Sequence, residues 1–202
     1  MQAYHNNPAS ALSGFIRGFE ALLAGRPDPD RLREQGSALL GGLVRRDDWL
    51  APADAAPGAD SYRQNLLHLD PDGRFCVVAF VWGPGQETPI HDHTVWGLIG
   101  MLRGAETSQG YRFVGANRLV EDGPPTVLVP GQVEAVGPRV GDIHRVRNVF
   151  ADRVSISIHV YGGDIGAIQR SIYLEDGSRR PFLSGYSPVL QLACDPDDNL
   201  HQ

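Results

Sequence analysis

The chain has little cysteine, no surplus of positive charge and no long apolar run. Cys76 and Cys194 are its two cysteines in 202 residues, too few for a disulfide framework or a cysteine-based zinc site. Cys76, inside FCVVAFVW, reads as a small core residue. Lys and Arg number 18 against 24 Asp and Glu, for a net charge of −6. Binding along a phosphate backbone needs a basic face, so nucleic acid is excluded as a partner class. No apolar stretch approaches the roughly 20 residues of a membrane-crossing helix, so no membrane partner is expected. The opening MQAYHNNPASAL has no basic region followed by an apolar stretch. It is not read as a signal peptide, and the cytoplasm is the expected location.

What is present suits a packed domain. Hydrophobic residues make up 42% and charged residues 21%, enough apolar surface to argue against wholesale disorder. The length fits one domain over residues 1–202. Its first part, 1–50, reads as helical. Leu12, Phe15, Ile16, Phe19, Leu22 and Leu23 follow one helix face, and Gly25 and Pro27 stop it. Asp28 and Pro29 can cap and begin a second helix, with Leu32, Leu39, Leu40 and Leu43 as its apolar face and Gly36, Gly41 and Gly42 weakening it. The loop Ala51–Asp60 separates these helices from a β-rich core over 62–162, and a C-terminal strand and tail follow over 163–202.

Within the core, YRQNLLHL alternates, placing Tyr62, Gln64, Leu66 and His68 on one side. Phe75–Trp82 is continuously apolar, as in a strand buried on both faces. Further strands are predicted at His91–Arg103, Tyr111–Val114, Thr126–Val129, Val133–Val136, Ile143–Asn148 and Val154–Tyr161. With 24 Gly and 15 Pro punctuating them, many short strands at this spacing predict a sandwich or barrel. The tail from Ser184 is expected to wrap the surface or fray.

Seven histidines carry the chemical signal. His91 and His93 form H-D-H, and strand alternation points both imidazoles to one face with Asp92 opposite. His144 follows in GDIHRVRN. A lone histidine is more often structural than ligating, and H-x-H alone is a weak metal signature. The surroundings strengthen it. Gly85, five residues, His91, one residue, His93 and then Gly104 match the first cupin motif. Gly141, two residues, His144, three residues and Asn148 match the end of the second, with Pro138 one position from its usual place. The segment 62–162 thus resembles the cupin superfamily. The resemblance implies a mostly β fold: a double-stranded β-helix, or jelly-roll barrel, with the N-terminal helices packed outside. It also implies a metal held by His91, His93 and His144. The glutamate that usually follows the second histidine is missing, since Gly97 and Leu98 stand there. Glu106 is expected outside the site. Three neutral imidazoles leave a divalent ion its full charge and open positions for a thiolate and O2. Iron(II) is favoured because zinc has no redox chemistry.

VSISIHVY alternates strictly, with Ser155, Ser157, His159 and Tyr161 on one face. Its bland reading is a half-buried strand with a polar side. Its functional reading is a chain in which Ser157 fixes the His159 tautomer and His159 holds the Tyr161 hydroxyl toward the metal. A Ser-His-Tyr row beside three metal histidines resembles the thiol dioxygenases of the cysteine dioxygenase family. TPIHDHTVWGLIGMLRGAE is similar to the bacterial 3-mercaptopropionate dioxygenase branch. That branch carries glutamine where cysteine dioxygenase has a carboxylate-gripping arginine, and the matching residue here is Gln64. Arg63 is adjacent but turned to the other face. Arg170, in GAIQRSIY, matches an arginine of the bacterial branch and is expected to offer a fork to a carboxylate. The cysteine that cross-links to tyrosine in mammalian cysteine dioxygenase has no counterpart in VWGLIG, so no thioether is expected at Tyr161.

The expected function is therefore an iron(II) enzyme inserting both atoms of O2 into a small thiol carboxylate, with 3-mercaptopropionate favoured. Ser157, His159 and Tyr161 are the expected catalytic residues, and Gln64, Arg170 and Tyr161 the expected substrate contacts. The partners are a small thiol and O2, and a homo-oligomer is compatible with this reading. The alternatives are cysteine as substrate, or a non-catalytic metal- or ligand-binding cupin.

Overall fold

The computed structural model describes residues 8–115, 118–174 and 176–188. Cys194 and the end of the tail lie outside the described residues. Helix α1 (Pro8–Ala24) and helix α2 (Pro29–Val44) come first. The Asp28 side chain accepts a hydrogen bond from Arg31 N (2.9 Å) and Pro29 opens the first turn of α2, a proline-compatible start. Gly36 is a point of close approach rather than a weak spot. A Cβ there would come within 2.7 Å of Leu98 Cδ1 and 3.3 Å of the Phe19 ring, so its bare backbone lets α2 lie against both.

Six strands follow in the first half of the β region: β1 (Arg63–Leu69), β2 (Cys76–Trp82), β3 (Ile90–His91), β4 (Gly97–Arg103), β5 (Glu106–Val114) and β6 (Arg118–Glu121). The rest are β7 (Thr126–Leu128), β8 (Val133–Val136), β9 (His144–Asn148), β10 (Ser155–Tyr161), β11 (Arg170–Tyr173) and β12 (Arg179–Phe182). One sheet has the order β1-β2-β10-β4-β8. The other runs β12-β11-β3-β9-β5-β6, with β7 on β5. All named pairs are antiparallel.

This arrangement corrects the expected mostly β jelly-roll barrel. The fold is mixed α/β and cupin-like, with a helical pair and two antiparallel sheets that do not close. β1 and β8 end the first sheet, β12 and β6 end the second, and among the described residues no strand ladder joins them. Turn spacing shows that the strands are many and short, but closure depends on pairing between residues far apart in sequence.

The central strands of the first sheet, β2, β4 and β10, are buried on both faces. Val77, Ala79, Val81, Leu98, Ile156, Ile158 and Val160 face the helices with Phe15, Phe19, Leu40 and Val44. The opposite face gathers Cys76, Val78, Phe80, Trp82, Ile99, Met101 and Tyr161 with Val146 of the second sheet. Cys76 is a small buried residue of this inner cluster, as expected. All seven residues of β10 are buried. Its polar side therefore meets the protein interior, not solvent.

Local departures from the predicted strands matter for the site. The segment predicted as one strand from His91 to Arg103 breaks after His91. Asp92 leaves the sheet, and Thr94 takes a left-handed φ of 61°. β5 starts at Glu106, earlier than expected. A bulge between Leu66 and His68 places His68 opposite Val77, turning it away from the face that Gln64 shares.

Candidate metal centre

β3 and β9 are neighbours, and His91 pairs directly with His144 across them. His93 arrives from just beyond β3. The three imidazole centroids are 4.8–4.9 Å apart, and one nitrogen from each lies within 4.8 Å of the others. All three residues are buried.

Each ring is oriented through its other nitrogen. His91 Nδ1–H donates to Pro89 O (3.0 Å). His93 Nδ1–H donates to Asp142 O (3.2 Å) and Oδ1 (3.3 Å). His144 Nδ1 lies 3.0 Å from Ser108 Oγ. These contacts leave the Nε2 atoms to face one another, and His93 Nε2 is buried without any partner. A buried polar atom left unsatisfied is costly. Such an orphaned nitrogen, with two imidazoles converging on it, fits a bound cation. Burial, reinforced by the neighbouring His93, pushes His91 down to about 3, and burial also holds His144 well below the ordinary histidine range. Both are neutral near pH 7, the form that ligates metal.

Asp142 is a supporting residue that sequence reasoning missed. Its carboxylate also accepts from His93 N (3.0 Å) and Thr94 N (3.2 Å), so it holds the bend that brings His93 inward. Burial raises Asp142, but the hydrogen bonds from His93 and Thr94 outweigh this and its value is lowered. Its place two residues before His144, on the same alternating face, was the available signal. Asp92 turns outward as expected. It accepts from Ser171 N (2.8 Å) and Tyr173 Oη–H (2.7 Å), which ties the H-D-H segment to β11.

The expected Ser-His-Tyr row is present on β10. Ser157 Oγ is 2.9 Å from His159 Nε2, and His159 Nδ1 is 2.7 Å from Tyr161 Oη. Phe80 stacks on His159 (4.0 Å), and Tyr161 stacks on His93 (5.6 Å). Trp82 Nε1–H donates to Ser157 Oγ (3.0 Å). Burial holds Tyr161 well above the ordinary phenol range, so it remains a hydrogen-bond donor.

Gln64 pairs with Phe80, which in turn pairs with Ser157. Residues directly opposite in a sheet point to one side, so Gln64 shares the inner face with the row. Arg63 lies on the other face, bonded to Asn65 and Pro188 O. Arg170 is buried on β11, one alternation from Ile172, the partner of His91. Its NH2 donates to Ser184 Oγ (2.6 Å), its guanidinium lies 4.6 Å over Phe182, and its Nε has no partner. No carboxylate among the described residues forms an ion pair with it. Burial lowers Arg170, while Tyr161 and Tyr62 act in the opposite sense.

Glu106, expected outside the site, is not one of the clustered ligands. It is 1% exposed and its Oε2 is buried without a partner. It lies on β5 of the second sheet, opposite Asn148 of β9.

Two other features are less suited to a metal. Glu20, His68 and Asp70 also cluster, but Arg74 bonds both Asp70 oxygens (2.9 and 2.6 Å) and already supplies the positive charge. A cavity of about 750 Å³ lined by Trp96, Gly97, Val136, Pro138 and Arg139 includes none of the three histidines.

Fold and site together define a cupin-like protein with a buried centre of three histidines. Residues 55–171 match the profile of the family described as cysteine dioxygenase type I. The chain belongs to that family. Among curated proteins it is similar to cysteine dioxygenase type 1 of Homo sapiens, with 30% identity over 103 residues, and of Rattus norvegicus, with 29% over 103 residues. Each match covers 50% of this chain and 50% of the relative, so the chain spans about half the length of the curated relatives it matches. Among solved structures it is similar to an uncharacterized conserved protein with a double-stranded β-helix domain from Klebsiella pneumoniae. That match has 18% identity and a TM-score of 0.44, covering 68% of this chain and 93% of the other. It is also similar to the cupin domain of an XRE-family transcriptional regulator from Enterobacter cloacae, with 16% identity and a TM-score of 0.38, covering 52% of this chain and 99% of the other. The fold described above rests on this chain's own strand pairing.

Proposed function

We propose that the protein is a non-haem iron(II) thiol dioxygenase that converts a small thiol carboxylate and O2 into the corresponding sulfinic acid. The observation that carries this reading is the meeting of two arrangements at one place. Three neutral imidazoles present their Nε2 atoms to one point, and the Ser157-His159-Tyr161 chain ends beside them. Iron(II) held by His91, His93 and His144 would supply the redox chemistry for O2 and a positive centre that favours the thiolate.

The chain's own residues would position the substrate. Tyr161 Oη–H donates a hydrogen bond into the site. His159 fixes the direction of that hydroxyl, and Phe80 and Trp82 keep His159 and Ser157 in place. Arg170, buried and without a carboxylate partner among the described residues, offers its guanidinium to the substrate carboxylate. A non-catalytic metal-binding protein would need no such polar row beside its ligands.

Family membership and the names of the curated relatives favour cysteine as the thiol. A second reading, 3-mercaptopropionate, is supported by Gln64 on the inner face. A neutral amide cannot grip a carboxylate with a charged fork, which costs most for a substrate fixed at both its amine and its carboxylate. The test is O2 consumption by the iron(II)-loaded protein with a panel of thiols, with sulfinic acid identified as product. Uptake of one O2 per thiol carboxylate is expected. Bound iron with no uptake for any thiol overturns the enzyme reading in favour of the non-catalytic one.

A further inference from the structure

The two sheets do not close, yet one segment crosses between them. β12 ends the second sheet and β1 ends the first. The residues after β12 run from one edge to the other. Phe182, Ser184 and Tyr186 are partly buried, while Pro181, Leu183 and Gly185 are exposed. Alternation of this kind turns every second side chain toward the interior.

Each inward side chain finds a partner. The Arg170 guanidinium lies 4.6 Å over the Phe182 ring. Ser184 Oγ accepts from Arg170 NH2 at 2.6 Å. Tyr186 Oη–H donates to Asp164 Oδ1 (2.5 Å) and accepts from Gly166 N (3.2 Å), both in the segment after β10. A Cβ on Gly166 would sit 2.5 Å from the Tyr186 ring, so a bare backbone is needed there. At the β1 end, Ser187 holds Gln64 twice. Ser187 N donates to Gln64 O (2.9 Å), and Gln64 N donates to Ser187 Oγ (2.9 Å). Arg63 donates to Pro188 O just beyond.

We propose that residues 182–188 form a strap across the open side of the two sheets, and that its Phe182 and Ser184 aim the Arg170 guanidinium at the carboxylate of the thiol. The two contacts are complementary. A guanidinium is a flat, rigid fork. Phe182 fixes the plane of the fork, and Ser184 fixes its rotation within that plane. Ser184 is also neutral, so it orients the cation without cancelling its charge. Arg170 has no carboxylate partner among the described residues, and its Nε is buried without any partner. A buried cation with donors left over selects an anionic, planar acceptor. The same strap holds the Gln64 backbone, so one segment fixes both proposed substrate contacts. This inference rests on the dioxygenase reading for the ligand being a thiol acid. Phe182 and Ser184 are positioning residues, since they act through Arg170.

The first arm of the test needs no thiol. In nitrogen-15 spectra of the full chain, with Arg170 assigned by difference against Arg170→Lys, a guanidinium held on two sides rotates slowly and gives separate Nη signals. Ser184→Ala should merge these signals, and Ser184→Thr, which keeps the hydroxyl, should keep them apart. Merged signals in the wild type, or separate signals in Ser184→Ala, overturn the proposal. The wild-type reading decides even if a variant does not fold. The second arm titrates the zinc(II)-loaded, O2-free protein with 3-mercaptopropionate and with cysteamine, which has the thiol but no carboxylate. Ser184→Ala should weaken binding of the acid relative to cysteamine by about tenfold, the order of one hydrogen bond acting on a charged group. Ser184→Thr should restore the wild-type ratio. An unchanged ratio in Ser184→Ala, or no binding of the acid by the wild type, overturns the proposal. O2 uptake is measured separately. Selective binding of the acid without uptake ends the dioxygenase reading and leaves the strap and its arginine standing.

Discussion

Gly97 lies directly opposite Tyr161 in the β4–β10 pair, and a Cβ on Gly97 would sit 2.8 Å from the Tyr161 ring. The same atom would also meet Val136 Cγ2 at 2.8 Å. The absence of a side chain is what lets the phenol lie flat beside His93. Gly97→Ala should therefore displace Tyr161. Overpacking of this kind costs about 1–3 kcal/mol, read as a lower midpoint in denaturant. Thiol turnover should fall while the iron content stays normal, and unchanged turnover would show that the ring position is unimportant.

Replacing His91, His93 or His144 by Ala should each remove iron without collapse of the fold, because both apolar clusters lie outside the ligand set. Asp142→Ala should leave the three ligands in place but free the His93 ring and the bend at Thr94. Loss of such a supporting hydrogen bond typically weakens metal binding by about 10–100-fold. Iron titration of the four variants checks this, and full stoichiometry in every histidine variant would refute the assignment.

The buried histidines give the metal-free protein an acid-sensitive stability. His91 falls from 6.5 to about 3 on folding, and His144 and His159 are lowered as well, in each case mainly by burial. As pH falls, the unfolded chain takes up protons on these residues before the folded one can. Stability is therefore fully present above about 6.5 and declines as pH drops toward the folded-state values. Thermal melts of the metal-free protein across this window should show a falling midpoint. A midpoint that is flat or rises on acidification contradicts it.

Tyr161→Phe removes one hydroxyl and little volume. Iron content and fold should persist, with turnover lower by about 10–100-fold, or roughly 1.4–2.7 kcal/mol of transition-state stabilisation. His159→Asn should also lose activity by releasing the Tyr161 hydroxyl from its 2.7 Å contact. Wild-type kinetics in both variants would make the polar side of β10 purely structural.

Gln64, on β1, and Arg170, on β11, are the proposed substrate contacts. Gln64→Arg should shift kcat/KM toward cysteine relative to 3-mercaptopropionate, since a charged fork would then face the carboxylate. Arg170→Ala should lower the preference for thiol acids over cysteamine by about tenfold, a difference of roughly 1.4 kcal/mol. The wild-type ratio for the two acids decides between the two substrate readings. A ratio near one in every variant would place both residues outside recognition.

Local pattern alone was enough for much of this protein. The H-D-H spacing with His144 in GDIHRVRN was legible because imidazoles two apart near a strand share a side. The Ser157-His159-Tyr161 row was legible because strict alternation fixes which residues of VSISIHVY face together. Asp28 and Pro29 marked the start of α2 through capping chemistry confined to one turn. The rest depended on contacts between segments distant in sequence. Alternation along YRQNLLHL holds for Gln64 but fails at His68, because a bulge against β2 changes the face. Whether the sheets closed was decided by edge pairing, and they remain open. Asp142 reaches His93 across 49 residues, and Glu106 is buried. Sequence periodicity sets the direction of a side chain relative to its own strand. Which sheet lies across from it, and whether water is excluded between them, are set only when the two sheets pack.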